Sequence, residues 1–215
     1  MMIGKGLVST HCPFCSVCCG LYISVGITGR VKGIEPKSDT PINEGSLCPK
    51  GITCYEIIHH PDRLRMPLIR GGEGFRKVSW KEALQRIASE FHQIIKEYGP
   101  QAVGFYAGSR LSNETIYLFK KLAHTIGTSN IDLNDRLGTS SAETGYKMTL
   151  GSNRAPNPLS DLLLTELIIL AGSNTAACHP VAMKYLFNAK DRGAKIIVID
   201  PRRTQTASIA DIHIQ

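Results

Sequence analysis

Leu167-Ile168-Ile169-Leu170-Ala171 is a fully apolar run of five residues, the length of a buried strand and too short for a helix. His179 to Arg192 follows with helical character and Gly193 supplies a stop. Lys195-Ile196-Ile197-Val198-Ile199 then forms a second, β-branched run. Strand, helix and strand in that order make a βαβ unit, whose two strands run parallel. Ligands of such units sit in the crevice beyond the carboxyl ends of the strands. Two polar segments occupy those ends, Gly172-Ser173-Asn174 and Asp200-Pro201-Arg202-Arg203-Thr204. An aspartate there can accept bonds from a ribose or a guanine edge, while arginine and threonine suit phosphate oxygens. The same residues also read as polar loops with helix caps, and the loops alone do not separate the two readings.

Upstream, helices and strands alternate from about residue 75. Ser79-Trp80-Lys81-Glu82 is a capping box. The helix it opens keeps Ala83, Leu84, Ile87, Ala88, Phe91, Ile94 and Ile95 on one face. Ala102 to Ala107 reads as a buried strand, Glu114 to Ile126 as a second amphipathic helix, and Asn130 to Leu133 as a short strand. This alternation predicts a Rossmann-like α/β domain over residues 71–215, a parallel sheet with helices on its faces.

Residues 1–70 have a different texture, rich in turns and cysteine. Leu21 to Val25 and Arg30 to Glu35 read as a hairpin about the turn at Gly26–Gly29. His11-Cys12-Pro13-Phe14-Cys15-Ser16-Val17-Cys18-Cys19-Gly20 precedes the hairpin, and Gly45-Ser46-Leu47-Cys48-Pro49-Lys50-Gly51 follows it. Three thiols on a tight loop, joined by a fourth roughly thirty residues on, are arranged to surround an iron–sulfur cluster. A [4Fe–4S] cluster is therefore expected in this module, folding together with its hairpin. Cys18 and Cys19 compete for the third ligand position. Structural zinc is an alternative, but such sites usually pair two C-x2-C units, and only Cys48 answers from the second segment. Disulfides are another, disfavoured by an odd count of seven cysteines.

Composition narrows the class. The 215 residues are 42% hydrophobic and 20% charged, as in ordinary globular proteins, and are long enough for one or two domains. The net charge of +7 is dispersed and framed by no recognised motif, so nucleic-acid binding is not expected. A phosphate-rich cofactor or an acidic partner subunit explains it equally well. Met1-Met2-Ile3-Gly4-Lys5-Gly6 has no secretory h-region, and Arg202-Arg203 lies too late to be an export signal. The longest apolar stretch, Leu162 to Gly172, is too short to span a bilayer and contains Glu166. A cytoplasmic protein without a membrane span is the expectation.

With these segments in order, the chain resembles the molybdopterin (bis-guanine dinucleotide) oxidoreductases, in particular the catalytic subunits of formate dehydrogenases. The resemblance is carried by the cysteine loop, Leu47-Cys48-Pro49-Lys50-Gly51 and His60-Pro61-Asp62-Arg63-Leu64. It continues through Gly172-Ser173-Asn174, His179-Pro180, and Asp200-Pro201-Arg202 through Thr206-Ala207 to Ala210-Asp211. It implies that Cys12, Cys15, Cys19 and Cys48 bind one [4Fe–4S] cluster, with Cys19 rather than Cys18 as third ligand. Lys50 then lies on the electron path between cluster and pterin. Gly172, Asn174, His179, Asp200, Arg202 and Thr204 become candidate contacts to molybdopterin guanine dinucleotide.

The chain departs from the family pattern at Arg136-Leu137-Gly138-Thr139-Ser140-Ser141-Ala142. Gly138 stands at the position of the family's molybdenum or tungsten ligand, and Thr139 where formate dehydrogenases place a histidine. Arsenite oxidases, in the same family, hold the metal without a protein ligand. Family members also continue several hundred residues beyond the position of Gln215. The reading that follows is a [4Fe–4S] electron-transfer subunit, not catalytic alone, with a vestigial pterin site and other redox subunits as partners. The apolar Lys195–Ile199 region is expected to be an uncovered sheet edge at their interface. The alternatives are a split catalytic subunit that binds the pterin together with another chain, and a non-redox scaffold.

Overall fold

A computed structural model describes residues 6–215, so the expectation drawn from Met1 to Lys5 lies outside the described residues. The chain forms two compact units. One combines residues up to Arg63 with Asn157–Gln215, and the other is Leu64–Pro156. The segment Asn157–Gln215 thus folds with the start of the chain, from which the second unit separates it in sequence.

The first unit opens with strands β1 (Leu7–His11), β2 (Gly20–Val25) and β3 (Val31–Pro36) in one antiparallel sheet, order β1-β2-β3. The expected hairpin is β2–β3. Strand β1 was not expected, although Val8 and Thr10 are β-branched residues suited to a pleated surface. Its pairing of His11 with Gly20 brings the two ends of the cysteine loop side by side. Two short helices follow, α1 (Pro49–Thr53) and α2 (Glu56–His59).

The second unit starts with a hairpin of β4 (Leu68–Gly71) and β5 (Gly74–Lys77), absent from the sequence expectations. Helix α3 (Trp80–Tyr98) begins as expected, with the Ser79 hydroxyl accepting from the Glu82 N–H at 3.2 Å. Strand β6 is only Phe105–Ala107, shorter than expected, because Pro100 starts a 3-10 turn that takes up Pro100–Ala102. Helix α4 (Asn113–Ile126) ends on Gly127 in the left-handed conformation, and β7 (Ile131–Leu133) pairs parallel with β6. Phe105 packs edge-on against Phe91 and Phe119, with ring centroids 6.2 and 5.2 Å away. Helices α5 (Asp135–Gly138) and α6 (Ser140–Leu150) complete the unit.

The βαβ unit lies in the first compact unit. It comprises β8 (Leu167–Ala171), α7 (Thr175–Cys178), α8 (Met183–Asp191), β9 (Lys195–Ile199) and β10 (Ile212–Ile214). One continuous helix from His179 was expected, but Pro180 interrupts it. Proline lacks the donor the helix needs and pushes the preceding residue out of helical space, and His179 sits at φ −133°, ψ 58°. The parallel sheet has the order β10-β9-β8, so parallel pairing holds, but in two separate small sheets rather than one. The Lys195–Ile199 strand is also not an edge. It is central, paired on both sides, because Ile212–Ile214 returns beside it. Ile196 and Val198 on β9 are fully buried, with Ile168, Leu186 and Ala189 around them.

These two parts of the first unit share a core. Val181 and Ala182, just before α8, pack with Cys12, Val17, Cys19 and Leu21. Lys184 reaches Glu44 at 2.9 Å, and the Tyr185 hydroxyl donates toward the Ile42 carbonyl at 2.9 Å.

Candidate metal centre and adjoining cofactor loops

The ladder positions the first two thiols. Cys12 follows the last residue of β1 and Cys19 precedes the first of β2, and the Cys12 N–H donates to the Cys19 carbonyl at 2.9 Å. Between them a turn closes from the Cys18 N–H to the Cys15 carbonyl at 3.1 Å. Cys18 adopts φ +56°, a left-handed conformation uncommon for a side-chain-bearing residue. It is exposed, whereas Cys19 is buried in the apolar core. Cys48 is the residue before α1, whose first helical position is Pro49. Gly51, in the first turn of α1, is buried, and an added Cβ would come to 3.7 Å from the Cys12 sulfur. The backbone of the second segment therefore comes close to the first thiol.

The thiols sense one another. Burial pushes the Cys19 thiol up to about 11, and the neighbouring Cys15, Cys12 and Cys48 add to the shift. Cys12 is raised by burial, with contributions from Cys15, Cys48 and Cys18. Cys54, half-buried beside Cys12, is raised by burial and then by Cys12. Buried thiols held this close cannot readily ionise together, so binding of iron to them must release protons. Among the described residues, no three His, Cys, Asp or Glu side chains converge on a point for a single metal ion. A cube binds each thiolate at a separate iron, so its four sulfurs need not meet at one point.

Lys50 connects this pocket to the strand-end loops. Its ammonium donates to the Ala177 and Cys178 carbonyls, at 3.2 and 3.3 Å, at the carboxyl end of α7. A cation at exposed terminal carbonyls of a helix is favourable. His179 follows directly. Its Nδ1 is buried with no hydrogen-bond partner among the described residues, and burial, then Lys50, holds its pKa below the ordinary histidine value. A proton on His179 is therefore disfavoured in the folded state. The stability linked to it is complete above about pH 6.5, the ordinary histidine value. It is lost progressively as the pH falls below that toward the depressed folded value. An NMR titration should find His179 half-protonated at a lower pH than in Lys50→Ala, where one of the two causes is removed.

The loops themselves are partly committed to the fold. Gly172 has φ +61°, and its N–H donates to the Ile199 carbonyl at 2.9 Å. The Asn174 Oδ1 accepts from the Thr206 hydroxyl at 3.1 Å, and that hydroxyl accepts from the Ala176 N–H at 2.9 Å. Thr206, fully buried, thus ties the loop after β8 to the segment after β9. Thr204 is also buried, and its hydroxyl oxygen accepts from the Ala207 N–H at 3.1 Å. Asp200 accepts the Arg202 N–H at 2.8 Å through one carboxylate oxygen. Arg202 is exposed, and its guanidinium has no bonded partner among the described residues.

Gly138 belongs to the second unit, where it ends α5. An added Cβ there meets nothing within 4 Å and its φ is not positive, so neither crowding nor backbone conformation requires glycine. Two residues with evident roles are not among the candidate site residues read from sequence: Thr206, named there only within a family segment, and the fully buried Asn43. Asn43-Glu44-Gly45 is a sequence of the kind that forms turns, a signal that could have found the turn but not the function of Asn43.

Comparison with known proteins agrees with this arrangement. Residues 7–60 match the family model described as molybdopterin oxidoreductase Fe4S4 domain, and residues 63–215 match that described as molybdopterin oxidoreductase. An F420-dependent formate dehydrogenase subunit alpha of Methanocaldococcus jannaschii is 44% identical over 97% of this chain and 30% of that protein. The assimilatory nitrate reductase catalytic subunit of Bacillus subtilis is 40% identical over 96% of this chain and 29% of its own length. The chain spans about a third of the length of these relatives. Among solved structures, acetylene hydratase from Pelobacter acetylenicus superposes with a TM-score of 0.75 at 25% identity, covering 95% of this chain and 29% of that one. The described residues contain no helix long and apolar enough to cross a membrane. On the two family matches, which together run through almost the whole sequence, this chain belongs to the molybdopterin oxidoreductase family.

Proposed function

We propose that the chain carries one [4Fe–4S] cluster on Cys12, Cys15, Cys19 and Cys48 and passes electrons through it within a larger redox complex, on a scaffold related to formate dehydrogenases. Each thiolate would bind one iron, and other redox subunits would be the electron partners, in the cytoplasm. Residues 1–70 act as the cluster module and 71–215 as part of the molybdopterin-oxidoreductase α/β domain. The observation that carries this reading is Lys50. Two residues after a cluster cysteine, it bonds the carbonyls of α7, so cluster segment and strand-end loops are mechanically and electrostatically one assembly. The names of the relatives differ in their chemistry, so the scaffold does not by itself define a substrate. Gly138 offers no side chain to a metal, and the engagement of Asn174 and Thr204 in internal bonds favours a reduced pterin role.

A second reading is favoured by His179 and Arg202. A buried ring nitrogen with no partner among the described residues is a group a bound dinucleotide would satisfy, and the exposed guanidinium of Arg202 suits its phosphates. In that case Gly172, Asn174, His179, Asp200 and Arg202 hold molybdopterin guanine dinucleotide together with further polypeptide. The assembled protein is then a formate dehydrogenase-type oxidoreductase. Bound molybdenum or tungsten would supply the redox chemistry at the substrate.

Anaerobic purification from the native source, with iron, molybdenum, tungsten and pterin analysis, separates the readings. Four irons per chain with no pterin supports the first, and stoichiometric pterin supports the second. Zinc in place of iron, or no metal at all with no redox partner recovered, overturns both.

A further inference from the structure

Asn43 is fully buried, and every hydrogen-bonding position of its side chain is used. Its Oδ1 accepts from the Gly20 N–H at 2.8 Å and lies 2.7 Å from the Thr40 hydroxyl, whose one hydrogen it shares with the Lys37 carbonyl at 2.9 Å. Its Nδ2 donates to the Gly20 carbonyl at 3.1 Å and to the Ser46 carbonyl at 3.0 Å. An amide offers two acceptor sites and two donor hydrogens, so none is left over. Only this orientation of the amide satisfies the set, since Gly20 N–H needs an acceptor and the two carbonyls need donors.

The partners are placed informatively. Gly20 is the residue after Cys19, and Ser46 is two residues before Cys48. One side chain therefore joins the backbones that present two of the four expected ligands, segments 28 residues apart in sequence by the numbering of Gly20 and Cys48. The main chain of Asn43 adds to this, because its carbonyl accepts the Ser46 N–H at 2.7 Å across a turn in which Glu44 and Gly45 have φ +45° and +77°. The approach is tight. A Cβ on Gly20 would lie 2.5 Å from the Thr40 methyl, so only glycine lets Thr40 and Asn43 reach this strand end.

Such a bridge leaves every cysteine free and has no need of Asn43 for the fold of either strand pair alone, since β1–β2 and β2–β3 have their own ladders. We propose that Asn43 is the positioning residue of the cluster site, holding the Cys19 and Cys48 segments at the separation the cluster requires. The inference rests on the cluster reading above. Aspartate in its place keeps the acceptor but sets an oxygen against the Gly20 and Ser46 carbonyls, in a site where an unpaired charge is strongly disfavoured. Partners one step beyond metal ligands typically change metal retention by about 10–100-fold when removed.

The test uses the full chain, purified anaerobically, as wild type, Asn43→Asp, Asn43→Ala and Thr40→Val. Iron release to a ferrous chelator and the EPR spectrum of the dithionite-reduced protein are read out, with far-UV circular dichroism as the check of folding. Folded Asn43 variants are expected to release iron about 10–100-fold faster, with shifted g values. Wild-type release and an unchanged spectrum in either folded variant overturn the proposal. If neither folds, Thr40→Val decides, since it removes the hydroxyl shared between Oδ1 and the Lys37 carbonyl and leaves the amide in place. Faster release with an altered spectrum supports the proposal, and wild-type behaviour overturns it. A wild-type chain that binds no cluster refutes the cluster reading itself, a different outcome from intact binding that ignores Asn43.

Discussion

Serine at any one of Cys12, Cys15, Cys19 or Cys48 is expected to abolish the cluster and to destabilise the first compact unit. A serine hydroxyl is a harder donor that holds its proton far more tightly, so it does not replace a thiolate on iron. Cys12 and Cys19 are also part of the apolar core with Val17, Leu21, Val181 and Ala182, so a hydroxyl there would be buried without a designed partner. Metal-binding free energy in a small module is largely folding free energy, and the loss should reach up to about 10 kcal/mol, the lower end of metal-coupled folding energies. Iron per chain and urea unfolding of the anaerobic protein check both effects. Cys18→Ser, Cys54→Ser and Cys178→Ser should retain iron. Cys18 and Cys178 are exposed, and Cys54 lies beside Cys12 without belonging to either ligand segment's expected set. Iron lost from Cys18→Ser but kept by Cys19→Ser would reverse the choice of the third ligand.

Lys50→Ala is expected to lower the cluster potential and to slow electron transfer while leaving iron content intact. A nearby cation favours the reduced, more negative cluster, so its removal makes reduction harder. Lys50 is exposed, and solvent and salt screen it, so the shift should be on the order of tens of millivolts and should shrink as ionic strength rises. The same substitution removes the two bonds to the Ala177 and Cys178 carbonyls, loosening α7 against α1. Lys50→Arg keeps the charge and should restore most of the potential. A redox titration monitored by EPR at two salt concentrations distinguishes an electrostatic role from a solvated lysine, for which the potential would not move.

Local pattern was enough for much of the fold. Leu167–Ala171 and Lys195–Ile199 are strands with the expected limits, and they bury Ile168, Ile196 and Val198 while Leu167, Ile169 and Ile199 stay exposed. The Ser79 cap and the Gly127 stop are written in single residues whose side chain or missing side chain acts within a few positions. Pro100 and Pro180 could have been used further. Pro180 breaks a helix assigned as continuous through the local loss of a donor, and Pro100, just ahead of the strand expected from Ala102, opens the turn that delays that strand to Phe105.

What sequence by itself determined is the set of chemical parts: the cysteine spacing, the parallel βαβ unit, and the loops at its strand ends. Spacing is a property of neighbours along the chain, and so are turns and periodicity. Tertiary structure alone decided which distant parts meet. It placed Ile212–Ile214 beside β9, making central a strand expected at the edge. It buried Cys19 and left Cys18 outside, a choice set by strand register rather than by spacing. It turned Thr204 inward, put Lys50 against α7, and gave Asn43 two partners from either side of a long loop. Those contacts join residues from 3 to 128 positions apart. The longer of them depend on packing of the whole unit, because no local preference specifies the partner of a side chain across that distance.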